Sequence, residues 1–457
     1  MFRILLLSLT AAIGGFLFGF DSGVINGTVS ALQSAFGSSS VGTGFNVSSM
    51  LLGCAVGAFF AGTLADRFGR KPVMIATAMA FIVSAWGSGV SSGSFEFVMY
   101  RIIGGLAVGA ASVLSPAYIS EVAPARVRGS LSSLQQLMIV LGLFMAFLSN
   151  FLIAQAAGGA QDDLLGFPAW RWMFWVEILP AGIFLFSLLF IPESPRYLVG
   201  AGREDHAHRV LSSLTHPQDA HEKIREIKAT LSADHKRRFS DLINKTKRRV
   251  HPVVWAGIGL AAFQQLVGIN VVFYYGAVLW EAAGFTEENA LLQNVITGMV
   301  NIISTLVAIA LVDRVGRKPL LLIGSIGMTL TLGTLAFIFS QGTLGPEGNL
   351  VLVENMKLAA LIIANLYVVF FGISWGPVMW VMLGEMFPNQ YRGTALAVCG
   401  FVQWIANFSV TFTFQPILTG FGLGTAYGIY SFCALASIWF VATVIRETKG
   451  KSLEQME

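Results

Sequence analysis

The chain has 457 residues, room for two or three soluble domains, yet only 12% are charged and 55% hydrophobic, against about 25% charged in soluble domains. That composition excludes a cytosolic or secreted globular enzyme and places the protein in lipid. The net charge of +4 requires no nucleic-acid partner, because topology accounts for it, as set out below.

The first 19 residues have the look of a signal peptide, but the apolar stretch runs on past Asp21 with no cleavage context and is read as a first membrane helix. A hydrocarbon core of about 30 Å needs about 20 apolar residues per crossing. Runs of that size lie near 4–27, 45–65, 72–91, 96–119, 130–154 and 170–191, then near 252–277, 289–312, 319–340, 357–384, 394–418 and 423–445. Cys54, Cys399 and Cys433 all fall inside apolar runs and carry neither a disulfide framework nor a metal site. The 49 glycines fit close helix approach and broken helices.

Between the two sets of six, residues 192–251 are polar. Of the 29 Lys and Arg, 13 lie between Arg196 and Arg249, and another 13 lie in short loops of the same face. The opposite face has Arg171 and Lys357 alone. Positive loops stay in the cytoplasm, so both termini and the central segment are expected there. That segment holds all six histidines without a ligand spacing. Around His221–Leu231, Ile224, Ile227 and Leu231 at helical spacing predict short amphipathic helices.

A repeat relates the two sets. Ala65-Asp66-Arg67-Phe68-Gly69-Arg70-Lys71-Pro72 follows the second span, and Val312-Asp313-Arg314-Val315-Gly316-Arg317-Lys318-Pro319 follows the eighth. Glu121, Pro124, Arg128 and Gly129 after the fourth span match Glu385, Pro388, Arg392 and Gly393 after the tenth. Two parallel six-helix halves follow, with a substrate site between them near the midplane. The loops read as a cytoplasmic latch, in which basic residues favour helix C-termini and Asp66 or Asp313 accepts hydrogen bonds, contacts expected to lock the cytoplasmic side shut in one state and to break in the other.

Further motifs are Gly19-Phe20-Asp21-Ser22-Gly23, Arg101-Ile102-Ile103-Gly104-Gly105, Pro192-Glu193-Ser194-Pro195-Arg196, Gln264-Gln265-Leu266-Val267-Gly268-Ile269-Asn270 and Glu447-Thr448-Lys449-Gly450-Lys451. In this order they resemble the sugar porter family of the major facilitator superfamily, over residues 14–455, and bacterial hexose and xylose transporters within it. Arg446 departs from the proline many members place there. The resemblance implies an all-α membrane protein with the major facilitator fold and 12 transmembrane helices. Its parts would be an N-terminal six-helix bundle (1–191), a cytoplasmic helical linker (192–251), a C-terminal bundle (252–446) and a tail (447–457). Glu193, Arg196 and Glu447 join the latch on the same ground.

A sugar offers hydroxyls and an apolar face, so its site needs carboxamides and an aromatic surface. Such groups occur inside spans as Gln136, Gln264, Gln265, Asn270, Asn301, Trp380, Gln403, Trp404 and Asn407, with Phe18 added by family analogy. Adjacent Gln264 and Gln265 cannot both face lipid, since each unpaired amide costs several kcal/mol. Gly268 and Trp375-Gly376-Pro377 mark bends, and Tyr274 is the expected outer cover. Asp21 and Arg101 are the ionisable residues expected within spans, with no further charge as partner, and an Asp that leaves an Arg gains affinity for a proton. The resemblance also favours an acid at Asp21 in proton-coupled members.

The expected activity is therefore monosaccharide transport by alternating access, glucose first and xylose second, in symport with a proton. A passive facilitator and a non-transporting sugar receptor are the alternatives. No enzyme motif, cofactor or nucleic-acid partner is expected, and the protein is read as a monomer in a bacterial inner membrane.

Overall fold

The computed structural model describes residues 2–214, 217–233, 242–244, 249–344, 350–388 and 391–449. Helix dominates because a bilayer offers backbone groups no water, so each crossing segment closes its own hydrogen bonds. Eleven helical segments are long and apolar enough to cross, from Arg3–Gly27 to Arg392–Thr443. The last has 52 residues, about 78 Å of helix and more than twice the hydrocarbon thickness. It is two spans, parted at Gly422 with φ 80° and ψ 170°, a backbone that glycine adopts at least cost. Twelve crossings result, as the sequence leads one to expect.

The helices overrun the apolar runs by a turn or so. The second is Ser40–Phe68 where 45–65 is expected, and the fourth Ser94–Val122 where 96–119 is expected. Caps stabilise the extra turns: the Ser39 hydroxyl accepts from the Gly42 N–H at 3.2 Å and the Thr286 hydroxyl from the Asn289 N–H at 3.4 Å. Among the described residues the seventh and tenth spans are broken, and the sixth tightens at 176–177 while keeping helical dihedrals. The sixth comprises Ala169–Trp175 and Ile178–Phe190. The seventh comprises Pro252–Leu266 and Ile269–Ala282, parted at Gly268 with φ 82°. The tenth comprises Glu354–Gly372 and Trp375–Met386, parted at Ser374 with φ −132° and ψ −93°.

Within the first half the second and fourth spans cross backbone to backbone. A Cβ on Gly53 would lie 3.0 Å from the Gly105 Cα, and one on Gly105 would lie 2.9 Å from the Gly53 Cα. Small residues permit that approach where lipid supplies no hydrophobic drive between helices. The halves meet along the second span against the eleventh and the fifth against the eighth. Between them, Pro195–Gly200, Glu204–Leu214 and Pro217–Ala233 build a small separate core from Leu198, Val199, Ala207, Leu211, Ala220 and Ile224. Ile227 packs against it, as the helical spacing predicts. His216, His235 and the side chain of Leu231 lie outside the described residues. Among the described residues no group of His, Cys, Asp and Glu is placed to hold a metal ion.

The residues expected to form a latch make two matching networks on the linker side, one in each half. Arg70 meets Asp66 at 2.9 Å and Glu121 at 3.0 Å, and donates to the Ala65 carbonyl at 3.0 Å. Arg317 meets Glu385 at 2.8 and 3.1 Å and donates to the Val312 carbonyl at 3.1 Å. A third correspondence completes each. Glu193 accepts from the Arg70 and Lys71 N–H groups, and Ser194 donates to Glu121. Likewise Glu447 accepts from the Arg317 and Lys318 N–H groups, and Thr448 donates to Glu385. Lys71 reaches the Leu189 carbonyl and Lys318 the Ala442 carbonyl, both at 2.9 Å. The motifs around Glu193 and Glu447 are thus a third repeat, hidden in sequence because the shared part is one acid followed by one hydroxyl.

Arg67 stacks its guanidinium on Phe68, its carbonyl accepts from the Tyr197 hydroxyl at 3.4 Å, and the Arg314 carbonyl accepts from Lys449 at 2.7 Å. Arg392 bonds the Phe387 carbonyl at 3.3 Å, and Arg196 is partly buried at the start of the linker. The side chains of Arg128 and Asp313 lie outside the described residues.

Partial burial alone would push the Glu447 carboxyl up, but the N–H groups of Lys449, Arg317, Lys318 and Thr448 together hold it below its ordinary 4.5. The folded state therefore favours the ionised form. Its contribution is complete above 4.5 and is lost as pH falls through the lower folded value. Glu447→Gln is expected to lower the melting temperature of the solubilised protein by a few degrees at neutral pH, with the gap to wild type closing in acid. Equal melting temperatures at neutral pH would show that this cap contributes nothing.

Candidate functional site

The break at Gly268 exists because the residue after a helix end often takes a left-handed backbone, which glycine tolerates. It frees carbonyls in the middle of an apolar bundle, and polar side chains gather around them. The Tyr367 hydroxyl donates to the Val267 carbonyl at 2.8 Å, and Gln264 donates to the carbonyl of Trp375, the first residue of the second piece of the tenth span, at 3.4 Å. The carboxamides then form a chain. Asn270 donates to Gln265 at 2.6 Å, Gln265 to Gln264 at 2.8 Å, and Gln403 of the eleventh span to the same Gln264 oxygen at 3.2 Å. Neither Gln264 nor Gln265 faces lipid; both are buried.

One turn along the eleventh span, Asn407 donates to the Tyr274 hydroxyl at 3.5 Å and accepts from Thr411 at 3.1 Å. Trp404 beside it meets Phe18 of the first span, ring centres 5.7 Å apart, so one aromatic comes from each half. Asn301 is buried and its Oδ1 would lie 3.5 Å from a Cβ on Gly372, at the end of the first piece of the tenth span. Trp380 is 43% exposed and Gln136 partly buried, and among the described residues no hydrogen bond joins either to the chain of amides. Gln135, the neighbour of Gln136, is the more deeply buried, and neither atom of its amide has a partner among the described residues. A carboxamide offers both donor and acceptor, as ring hydroxyls require.

A second cluster lies within the first half. Arg101 pairs with the Asp21 carboxylate, donates to the Asp21 carbonyl at 3.1 Å and to the Met50 sulfur at 2.9 Å, and lies 5.7 Å from the centre of the Phe174 ring. Asp21 is 0% exposed and Arg101 1%. The expectation that no other charge shares this interior is corrected here: Glu177, where the sixth span tightens, is 1% exposed and feels the charges of both Asp21 and Arg101. An acid in the middle of the apolar run 170–191 was legible by the rule that singled out Asp21. Asp21 Oδ2, Arg101 Nε, Glu177 Oε1 and Ser84 Oγ are buried without a partner among the described residues. Gly104 makes room for them, since a Cβ there would lie 2.8 Å from Asp21 Oδ2.

The hydrogen bonds that join the halves among the described residues all lie on the side away from the linker. They run from Asn26 to Phe273, Ala277 and Asn294, from Ser30 to Glu281 at 2.9 Å, and from the Ala160 N–H to Glu287 at 2.8 Å. The linker-side bonds of Arg70, Glu193, Arg317 and Glu447 given above each stay within one half or its adjoining linker or tail. The bundle is therefore fastened across its far side.

A family described as Sugar (and other) transporter matches residues 7–457. The Glucose transport protein of Synechocystis sp. is 54% identical over 455 residues, covering 99% of this chain and 97% of that protein. The inward open conformation of the xylose transporter XylE from E. coli matches with a TM-score of 0.85 and 36% identity over 99% of each chain. The proton:xylose symporter XylE bound to 6-bromo-6-deoxy-D-glucose matches with a TM-score of 0.78 and 36% identity, over 99% of this chain and 98% of that one. With twelve spans in two matched halves, amides gathered at the helix breaks and a family match over nearly its whole length, the chain belongs to the sugar porters of the major facilitator superfamily.

Proposed function

We propose that this protein carries a monosaccharide, glucose in the first place, across a bacterial inner membrane by alternating access, and that each sugar enters with a proton. The observation that carries the reading is the amide chain Asn270–Gln265–Gln264–Gln403, which links the broken seventh span to the eleventh in the interior of the bundle. Sugar hydroxyls would exchange with these amide contacts, while Phe18, Trp404 and Trp380 supply the apolar surface and Gln136, Asn301 and Asn407 the remaining polar contacts. Tyr274 would cover the site from outside. Glucose is supported by the likeness to the Glucose transport protein of Synechocystis sp., and proton coupling by the likeness to the proton:xylose symporter XylE.

The proton would be carried by Asp21. Contact with Arg101 would favour the ionised carboxylate, and movement of the fourth span away from the first would let it take a proton from outside. Glu177 is the additional acid that would share this charge balance. Termini and linker would face the cytoplasm, where 26 of the 29 basic residues would then lie. The linker-side networks would stiffen each half so that it moves as a body, and the protein would work as a monomer.

Counterflow in proteoliposomes with a panel of sugars, with and without an imposed pH gradient, tests the whole reading. Gln265→Ala is expected to weaken sugar binding by about tenfold or more, the cost of about 1–3 kcal/mol for stranding its buried partners; unchanged affinity by calorimetry would remove this residue from the site. Asp21→Asn is expected to abolish uphill accumulation and leave sugar exchange intact. Accumulation that persists in the variant would instead favour a different coupling acid, and a wild type that never accumulates would favour a passive facilitator.

A further inference from the structure

Asn26 belongs to the first half, in the 3-10 turn Ile25–Gly27 that follows the first span, and is 1% exposed. All of its side-chain bonds described here go to the second half. Its Nδ2 donates to the Phe273 carbonyl at 2.9 Å, and its Oδ1 accepts from the Ala277 N–H at 3.1 Å and from Asn294 Nδ2 at 2.7 Å. Residues 273 and 277 are four apart in the seventh span. In a regular helix that N–H donates to that carbonyl. The Asn26 amide therefore bridges the donor and the acceptor of one rung of a helix that belongs to the other half.

The local backbone agrees. Tyr275, between the two rung residues, leaves helical geometry at φ −116° and ψ 15°. The next residue, Gly276, is the one over which both amides close: a Cβ there would lie 2.8 Å from Asn26 Nδ2 and would collide with Asn294 Oδ1. Asn150 holds the donor's own backbone in place, giving its Nδ2 to the Val24 carbonyl at 2.9 Å. Tyr274 and Tyr275, at the bend, bond Asn407 and the Thr411 carbonyl, so the bend also sets the rings nearest the sugar site.

We infer that Asn26 is the positioning residue of extracellular closure, exchanging its side-chain amide for the 277-to-273 backbone rung of the seventh span. With the outer side shut, the amide occupies the rung and bends the helix at Tyr275. With it open, the rung closes on itself and the helix straightens. In both states the N–H and the carbonyl have partners, so the gate moves without stranding buried polar groups, which would cost several kcal/mol each in lipid. The inference rests on the alternating-access reading of the preceding section.

The test uses the full chain in lipid nanodiscs, with spin labels at Leu165 and Val353, exposed by 82% and 67% and placed on the outer side, one in each half. Wild type should show two distances whose weights respond to sugar; a single unresponsive distance would overturn alternating access itself. Asn26→Ala should raise the long-distance population several-fold, and hydrogen exchange across 271–281 should stay slow because the helix recloses its rung. Unchanged distance weights would overturn the inference while leaving alternating access standing. So would fast exchange across that segment, which would mark Asn26 as a plain fastener. Asn294→Ala, which leaves the bridged rung intact, should give a smaller shift, and a shift equal to that of Asn26→Ala would count against the rung exchange. Should Asn26→Ala fail to fold, Asn26→Ser, able to bond one side of the rung, is expected to give an intermediate shift, and no shift would overturn the inference.

Discussion

Inside a bilayer a helix that gives up a backbone hydrogen bond must find another partner for each freed group, and that demand shapes every functional part of this protein. The seventh and tenth spans are broken, the first ends inside the bundle, and polar side chains stand at these places. Tyr367 takes the Val267 carbonyl, Ser374 the Phe370 carbonyl, and Asn150 the carbonyl of Val24 where the first span ends. Polar residues are drawn to these places because unsatisfied backbone makes them stabilising there, and the same carboxamides are then in position to meet a polyhydroxylated substrate.

The buried charges obey a harsher version of the same rule. A carboxylate at 0% exposure is tolerable only with a cation and further donors around it. Asp21 has Arg101, and Arg101 in turn has the Asp21 carbonyl, the Met50 sulfur and the face of Phe174. Glu177 adds a second acid to one cation. Two acids sharing one guanidinium cannot both be ionised at low cost, whichever of them holds the proton. The interior of the first half thus holds the buried charges, while the second half contributes most of the amides.

Spans, the linker's apolar stripe and the repeated loops were legible because each has a signal that survives in one dimension: a run of about 20 apolar residues, a 3.6-residue period, or a string of matching letters. The pairing of Gln264 with Gln265 was legible for a similar reason, since adjacent amides on a helix cannot both turn to lipid. Less was visible where the signal is shared between distant segments. The match of Glu193-Ser194 with Glu447-Thr448 has too few letters to stand out until both carboxylates are seen capping equivalent helices. Asn26 carries no local mark at all, because its meaning lies in residues some 250 positions away. Glu177 was the opposite case, a charge in plain view within an apolar run.

The paired networks also bear on how stiff each half must be. Arg70 and Arg317 each tie the carbonyl end of one span to a carboxylate on another, and Glu193 and Glu447 each cap the helix that those arginines begin. None of these bonds crosses from one half to the other, so none must break for the halves to rock. Among the described residues the bonds that do cross lie on the far side, and those of Asn26 with Phe273 and Ala277 and of Ser30 with Glu281 engage a helix interrupted at Gly268 and Tyr275. Sugar hydroxyls that take over amide contacts can shift the balance of the two orientations only by as much as they bind one better than the other.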